Sequence, residues 1–242
     1  MEVLISSNDN SGLACKLKEY NIPFKQGIVK TGIVAFIEGK NPTKKIVALR
    51  GDMDALPILE KNTCDYKSKN EGVMHACGHD VHSASLLGVA KILNELKGEF
   101  EGTIKLIFQP GEEKLPGGAS LMIKEGVLEN PKPTSIFAQH VFPSMEVGKV
   151  GFRSGMYMAS TDEIYVTVKG KGGHAAMPAE YINPLLIASA LLIELNETFM
   201  KQNQKAPTVL AFGKISGNGA TNKGLIYSAG IAACPPLPFT VT

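Results

Sequence analysis

The chain has 242 residues, enough for one large domain or two small ones around a buried core. Hydrophobic residues make up 44% and charged residues 20% of the sequence, which excludes collagen-like, mucin-like and disordered proteins. Lysine and arginine number 25 against 23 acidic residues, and the resulting net charge of +2 argues against nucleic acids and anionic membranes as partners.

Targeting and membrane signals are not evident in the sequence. The longest strongly apolar run, residues 185–193, is about half of the ~18 residues that a membrane span needs. The first ten residues have neither the basic flank nor the apolar block of a secretory signal. Four cysteines (Cys15, Cys64, Cys77 and Cys234) do not make a disulfide scaffold in a chain of this length. We therefore predict a cytoplasmic protein that does not span a membrane.

Short β-branched runs alternate with longer helical runs in the first part of the chain. Strands are predicted at residues 32–37, 45–49, 103–108 and 135–139. Helices are predicted at residues 82–96 and 119–124. The longer one has an apolar stripe that includes Val81, Ile92 and Leu96 and is widened by Leu87, Ala90 and Leu93. This order of strands and helices predicts an α/β fold, with a mostly parallel sheet flanked by helices.

The pattern changes after residue 155. Residues 162–168 alternate polar and apolar side chains, as in a strand with one solvated face. A long helix is predicted from Pro184 to about residue 200, with Asn183 as its N-cap. A strand at 208–215 completes a β-α-β unit.

The predicted organisation has three parts. Residues 1–155 form the first domain, and residues 156–222 form part of a second, smaller one. Residues 223–242 are predicted to be an apolar tail that differs from the rest of the chain, because no charged residue follows Lys223 and a proline-rich segment begins at Cys234.

Cys77 and His79 lie in the densest group of candidate metal ligands, MHACGHDVH. Standing two residues apart, they would point to the same side of an extended segment. A thiolate and an imidazole beside a glycine suit a transition-metal site. Taken alone, a buried structural cysteine beside unrelated histidines explains the pattern equally well. For His75 and His82 we favour packing or the support of a ligand.

Further candidate side chains follow the predicted strands. Asp52 and Asp54 come directly after one strand, the pair Glu112 and Glu113 after another, and His140 after a third. Adjacent carboxylates repel, so the glutamate pair fits one metal ligand and one general base, although an isolated pair of this kind is more simply a solvated turn. Because open α/β sheets gather the carboxyl ends of their strands at one edge, we predict a metal site there.

Two loops of the second domain offer weaker candidates. His174 lies in the glycine-rich loop GKGGHAAMP, which lacks the spacing of a phosphate loop. The loop could present His174 as a mobile catalytic group, although a lone histidine on a loop is more often inert. Asn222 ends a polar loop and could donate hydrogen bonds to a ligand.

Five ordered motifs, RGDMDALP, MHACGHDVHSA, QPGEE, AQHVFP and GKGGHAAMP, resemble those of the N-acyl-amino-acid amidohydrolases. This family includes hippurate hydrolase, auxin–amino-acid conjugate hydrolase and N-acetyldiaminopimelate deacetylase, within the aminoacylase–carboxypeptidase metallopeptidases. The resemblance spans residues 17–222. It implies a zinc-peptidase-like catalytic domain with an inserted ferredoxin-like α+β lid and dimerisation domain, here incomplete.

The resemblance also implies the site and the reaction. Its metal ligands would be Cys77, His79, Glu113 and His140. They would hold two divalent ions per site, Mn or Zn with Co or Ni as alternatives. Glu112 would deprotonate the attacking water and later protonate the leaving amine, and Asp54 would orient the site. His174 would stabilise the oxyanion in the active site of the partner subunit, and Asn222 would contact substrate. The reaction implied is hydrolysis of an N-acyl amino acid by a homodimer.

The sequence departs from the family pattern at three places. The opening His-x-His-x-x-Pro-Glu-Leu segment is absent, the chain diverges after Asn222, and no histidine follows His174 to supply the family's last ligand. We therefore keep an alternative to the active amidohydrolase. It is a truncated or frameshifted, inactive product that at most binds metal and whose dimerisation is in doubt.

Overall fold

A computed structural model of the protein describes residues 11–155, 161–174, 176–202, 208–216, 225–233 and 240–241. The chain divides into two units, Met1–Ser144 and Met145–Thr242. The sequence instead predicts a boundary at residue 155. The difference arises because Gly151–Phe152 pairs with Thr240–Val241, at the far end of the second unit.

The first unit is built on a five-stranded mixed sheet. Its elements are α1 (Ser11–Glu19), β1 (Phe24–Ile28), β2 (Gly32–Glu38), β3 (Ile46–Asp52), α2 (His79–Glu95), β4 (Thr103–Gln109), α3 (Gly118–Lys124) and β5 (Ser135–Ala138). The strand order is β1-β2-β4-β3-β5. Strands β3, β4 and β5 are parallel, whereas the β1–β2 hairpin adds the antiparallel half. The predicted α/β fold, a sheet flanked by helices, is confirmed.

Both faces of this sheet are covered, which explains the nearly continuous apolar strands. On β4, Leu106 and Phe108 belong to a core with residues of α1 and α2, such as Leu17 and Leu86. Ile107 points to the opposite face and joins a second core that includes Met122 of α3. Alternate residues of one strand thus anchor helices on both sides of the sheet.

Helix α2 buries only part of the predicted apolar stripe: Ala90 is buried, and Leu87 and Leu93 pack against the core. The expected apolar stripe included Val81, Ile92 and Leu96, but these side chains are 46%, 56% and 47% exposed. The buried residues of the helix are His79, His82, Ser83, Leu86 and Ala90. The polar residues among them hydrogen-bond to Asp52 at the end of β3 and to Asp54 just after it, so hydrophobic periodicity located only part of the face that contacts the sheet.

A buried lysine anchors the chain that leads into β5. Lys105 is 1% exposed, and its ammonium group donates hydrogen bonds to the carbonyl oxygens of Val127, Glu129 and Pro131 at 2.6, 2.8 and 2.8 Å. These bonds satisfy the buried charge without a carboxylate. They hold the α3–β5 connection against the sheet, and β5 leads directly to His140.

The second unit contains a three-stranded antiparallel sheet and one long helix. Its elements are β6 (Gly151–Phe152), β7 (Thr161–Val168), α4 (Pro184–Gln202), β8 (Thr208–Ser216), β9 (Leu225–Ala233) and β10 (Thr240–Val241). The predicted N-cap of α4 is present, because the Leu185 N–H donates to Asn183 Oδ1 at 3.0 Å. Within the described ranges, no helix is both long and apolar enough to cross a bilayer.

The segment predicted to be an apolar tail contains a strand. Strand β9 lies between β7 and β8 and pairs antiparallel with both. The uncharged sequence LIYSAGIAA is compatible with a strand hydrogen-bonded along both edges. The predicted tail rested on the uncharged composition and on the proline-rich segment that begins at Cys234, and neither feature excludes a strand at Leu225–Ala233.

Candidate metal centre

The carboxyl ends of the three parallel strands bring the predicted site residues of the first unit to one edge. Asp52 ends β3, and Asp54 follows it. Glu112 and Glu113 follow β4, and His140 follows β5. Since β4, β3 and β5 are neighbours in this order, their carboxyl ends meet, as the sequence analysis anticipated.

A glycine turn directs Cys77 and His79 toward this edge. The expectation of an extended segment is wrong, because Gly78 has φ 85° and His79 already begins α2. A Cβ at position 78 would overlap the side chain of Val141, so only glycine fits here. Cys77 Sγ lies 3.4 Å from His140 Nε2, and the turn therefore joins two ligand-bearing segments.

In the part of the chain that the structure describes, three groups of donor atoms cluster closely enough to hold an ion. Within each group the ligand atoms all lie within 4.8 Å of one another. The groups are Cys77, His79 and His140; His79, Glu112 and Glu113; and Asp52, His79 and His82. His79 belongs to all three groups, so it is the centre of the cluster.

The free nitrogen of His79 shows that these residues fit a cation. His79 Nε2 is buried, and among the described residues it has no hydrogen-bond partner. It lies 3.7 Å from Asp52 Oδ2, 3.9 Å from Glu113 Oε1 and 4.0 Å from Glu112 Oε2. A buried imidazole nitrogen left unpaired among carboxylates, with a thiol nearby, suits a divalent transition metal.

Comparison with known proteins agrees with this geometry. Residues 48–226 match the sequence model of Peptidase family M20/M25/M40. The chain belongs to this family. It is 43% identical to an N-acyl-L-amino acid amidohydrolase of Geobacillus stearothermophilus over 166 residues, which are 69% of this chain and 44% of that protein.

Two further proteins are similar to the chain over most of its length. The chain is 41% identical to N-acetyl-L-cysteine deacetylase of Bacillus subtilis over 207 residues, covering 85% of this chain and 49% of that protein. The crystal structure of the Bacillus subtilis YXEP protein, a dinuclear metal binding peptidase from the M20 family, matches with a TM-score of 0.66 at 31% identity, over 92% of this chain and 57% of that one. The chain spans about half the length of the curated relatives it matches.

In this M20 chain, burial and neighbouring charges shift the pKa values of Cys77 and Glu112. Burial and the neighbouring Glu113 carboxylate raise the pKa of the Cys77 thiol to about 12. Burial, together with the charge of Glu113, also raises the pKa of Glu112. Both shifts reflect crowded negative charge that a bound cation would relieve.

Asp54 and His79 shift each other's pKa values in opposite directions. Burial alone would raise the pKa of Asp54, but hydrogen bonds from His79 and from the backbone N–H groups of Glu113 and Glu112 lower it. Burial alone would lower the pKa of His79, but the carboxylates of Asp54 and Asp52 outweigh this and raise it to about 9. The pair is therefore charged at neutral pH in the metal-free chain.

Asp52, a strand-end candidate in the sequence, and His82, expected to pack or to support a ligand, are buried against each other. Asp52 is 1% exposed, and its Oδ1 lies 2.6 Å from His82 Nδ1. Its Oδ2 lies 2.7 Å from Arg50 Nη1. The spacing in the sequence indicates that these residues meet. His79 and His82 are three residues apart and share one face of a helix, and Asp52 and Asp54 are two apart and point to the same side of an extended segment.

The other predicted residues do not join this cluster in the described structure. His174 is exposed in the loop after β7 of the second unit, where its Nδ1 accepts a hydrogen bond from the Ala176 N–H at 3.2 Å. Asn222 lies outside the described residues. His75 is exposed and belongs to none of the three donor groups.

Proposed function

We propose that this chain carries the metal centre of an amidohydrolase that cleaves N-acyl amino acids into a carboxylic acid and an amino acid. The observation that carries the proposal is the buried Nε2 of His79, which has no hydrogen-bond partner among the described residues and lies near the carboxylates of Glu112 and Glu113. Membership of the M20 family and similarity to proteins named as amidohydrolase and deacetylase support the same reaction.

The proposed ligands are Cys77, His79, Glu113 and His140. Their donor atoms fall into two overlapping groups that share His79, an arrangement compatible with two ions. The combination of thiolate, imidazole and carboxylate favours Zn or Mn, with Co or Ni as alternatives. Bound ions would polarise the amide carbonyl and increase the acidity of the attacking water.

Glu112 is the proposed general base. Its side chain is 46% exposed, so solvent can reach it, yet its pKa is raised by burial of the carboxylate and by Glu113. A carboxylate with a raised pKa accepts a proton from water more readily than an ordinary one. The same Glu112 oxygen can then return the proton to the leaving amine nitrogen, which completes the hydrolysis.

Three further roles complete the proposal. Asp54 orients His79, because it accepts the Nδ1–H bond and leaves Nε2 free. His174 is proposed to donate a hydrogen bond to the oxyanion that forms at the substrate carbonyl, reaching the active site of the partner subunit in a homodimer. Asn222 is proposed to bind substrate. The thiol of Cys77 must stay reduced to bind metal, which supports a cytoplasmic location.

Metal content and turnover together test this function. The full chain is purified without added metal, its metal content is measured by mass spectrometry, and hydrolysis of N-acetyl-L-cysteine, N-acetyl-L-methionine and hippurate is followed by amino-acid release. We expect bound metal, turnover of at least one substrate, loss of turnover after chelation, and recovery with Zn or Mn.

Each outcome has a distinct meaning. Turnover that survives complete removal of metal would contradict the proposed mechanism. Metal bound tightly with no turnover of any substrate would instead support the alternative, a metal-binding chain without catalysis. Sedimentation of the same sample measures whether the chain forms the proposed dimer.

A further inference from the structure

We infer that His82 is a positioning residue, which fixes the segment carrying the ligand His140. The inference rests on the proposed metal site, because it concerns how one of its ligands is placed. His82 lies on α2, and its side chain is fully buried between the helix and β3. Gly51 of β3 permits this close approach, because a Cβ there would lie 3.2 Å from the backbone oxygen of His82.

Both ring nitrogens of His82 are engaged, and the bonds define its tautomer. Its Nε2 accepts a hydrogen bond from the Val141 N–H at 2.9 Å, so this nitrogen carries no proton. The ring proton is therefore on Nδ1 and is donated to Asp52 Oδ1 at 2.6 Å. Arg50 in turn holds Asp52, since its Nη1 lies 2.7 Å from Asp52 Oδ2.

These two bonds also exclude His82 as a metal ligand in this arrangement. His82 belongs to a donor group with Asp52 and His79. An imidazole can bind an ion only through a nitrogen with a free lone pair. Nδ1 holds the proton given to Asp52, and the Nε2 lone pair is occupied by the Val141 N–H, so neither nitrogen is available.

The segment that His82 holds needs such a support. His140 is exposed and follows the end of β5, where strand pairing no longer fixes the backbone. Its Nδ1–H donates to the Val141 carbonyl at 2.8 Å, which leaves Nε2 as the free nitrogen facing Cys77 Sγ. The N–H of the same Val141 is held by His82.

Two additional contacts hold His140 and Val141 in place. The rings of His82 and His140 are 4.6 Å apart between centroids and meet edge to face. The Val141 side chain occupies the space that a Cβ at Gly78 would need, next to Cys77. The bond to His82 thus fixes the backbone of Val141, and the space beside Gly78 holds its side chain. The position of Val141 therefore sets the distance between His140 and Cys77.

Three variants of the full chain separate positioning from general stability. His82→Leu introduces an apolar side chain of moderate size and removes both hydrogen bonds. His82→Gln keeps an acceptor oxygen that can reach the Val141 N–H. Ser83→Ala is the matched control, because Ser83 is also buried on α2 and donates to the Asp52 carbonyl at 2.6 Å, but its bond does not involve Val141.

Cobalt titration followed by visible absorption measures metal affinity at the site. We expect His82→Leu to bind Co²⁺ about ten- to a hundredfold more weakly, as is usual when the support of a ligand is removed. Ser83→Ala should remain close to the parent, and His82→Gln should recover most of the affinity. Equal affinity in His82→Leu and the parent, an equal loss in Ser83→Ala, or no recovery in His82→Gln would overturn the inference.

A metal-free readout keeps this test independent of the proposed function. In the chelated parent chain, nitrogen NMR should place the His82 proton on Nδ1, and the Val141 amide should exchange slowly with solvent. A proton on Nε2, or fast exchange at Val141, would refute the positioning role even if cobalt binds. Absence of cobalt binding in the parent would contradict the proposed metal site, whereas the NMR result would still decide the role of His82.

Discussion

The Nδ1 of His79 lies 2.9 Å from the backbone oxygen of Asp54 and 3.2 Å from Asp54 Oδ1. The other carboxylate oxygen of Asp54 accepts the Glu113 N–H at 3.0 Å. One aspartate after β3 therefore fixes a histidine on α2 and the acidic loop after β4. This relation leaves His79 Nε2 free and directs it toward the two glutamates, which is the geometry that a metal ligand requires.

Replacing each glutamate of the pair by glutamine should separate catalysis from metal binding. We expect Glu112→Gln to reduce kcat by at least a hundredfold with little change in metal content, because the general base is lost while the proposed ligands remain. Glu113→Gln should instead lower metal affinity, since it removes a carboxylate ligand. Turnover assays and metal analysis on the same samples distinguish the two. Equal metal loss in both variants would contradict the assignment.

The stability of the metal-free chain should depend on pH through His79. The pKa of His79 is raised from 6.5 to about 9 in the folded chain, so the folded state binds the proton more tightly than the unfolded state. The stabilisation is complete below the unfolded pKa of 6.5 and is lost as pH rises toward about 9.

The variant Asp54→Asn tests this dependence, because it removes a charge that raises the His79 pKa. Urea unfolding of the chelated parent and variant should differ more at about pH 6 than at about pH 9.5. A difference that is the same at both values, or larger at the alkaline one, would contradict the linkage. Metal affinity of the parent should rise over the same interval, because the ion competes with the proton on Nε2.

Cys77 should react slowly with alkylating agents in the metal-free chain. Its pKa is raised to about 12, so only a very small fraction of the thiol is ionised at neutral pH. Peptide mass spectrometry after brief treatment with iodoacetamide should show Cys15, which is exposed, modified well before Cys77. Modification of both at the same rate would show that the Cys77 thiol is not suppressed by Glu113 and burial.

Two glycine substitutions, one at the start of α2 and one in its middle, should have opposite effects. Gly78→Ala would place a Cβ against Val141 at φ 85°, so we expect lower stability and weaker metal binding. At Gly88, on an exposed part of the same helix, an added Cβ would have no atom within 4 Å. Gly88→Ala should therefore stabilise the chain by up to about 1 kcal/mol. Thermal unfolding of both variants measures the contrast. Gly78→Ala as stable as the parent would show that the turn tolerates a side chain.

The sequence was sufficient to locate most of the regular elements of the first unit. Strand β4 and helix α3 begin and end within a residue of the predicted bounds, because the apolar runs and the glycines beside them are local signals. The β1–β2 pairing was not predicted, since β1 is the short sequence FKQGI, in which four of the five residues are exposed or half-buried. Its strand character comes from pairing with β2.

The candidate ligands were likewise evident from residue type and position at strand ends, which are properties of the linear sequence. The sequence alone predicted that Glu112, Glu113 and His140 converge at one sheet edge, because parallel strands bring their carboxyl ends together. The left-handed turn at Gly78, which brings Cys77 and His79 to that edge, became evident only in the structure. Only the tertiary structure decided that His82 supports Val141 and that Asp52 supports His82. Those bonds join α2, β3 and the segment after β5. The residue pattern within one segment does not indicate which atoms of another segment will lie beside it in the folded chain.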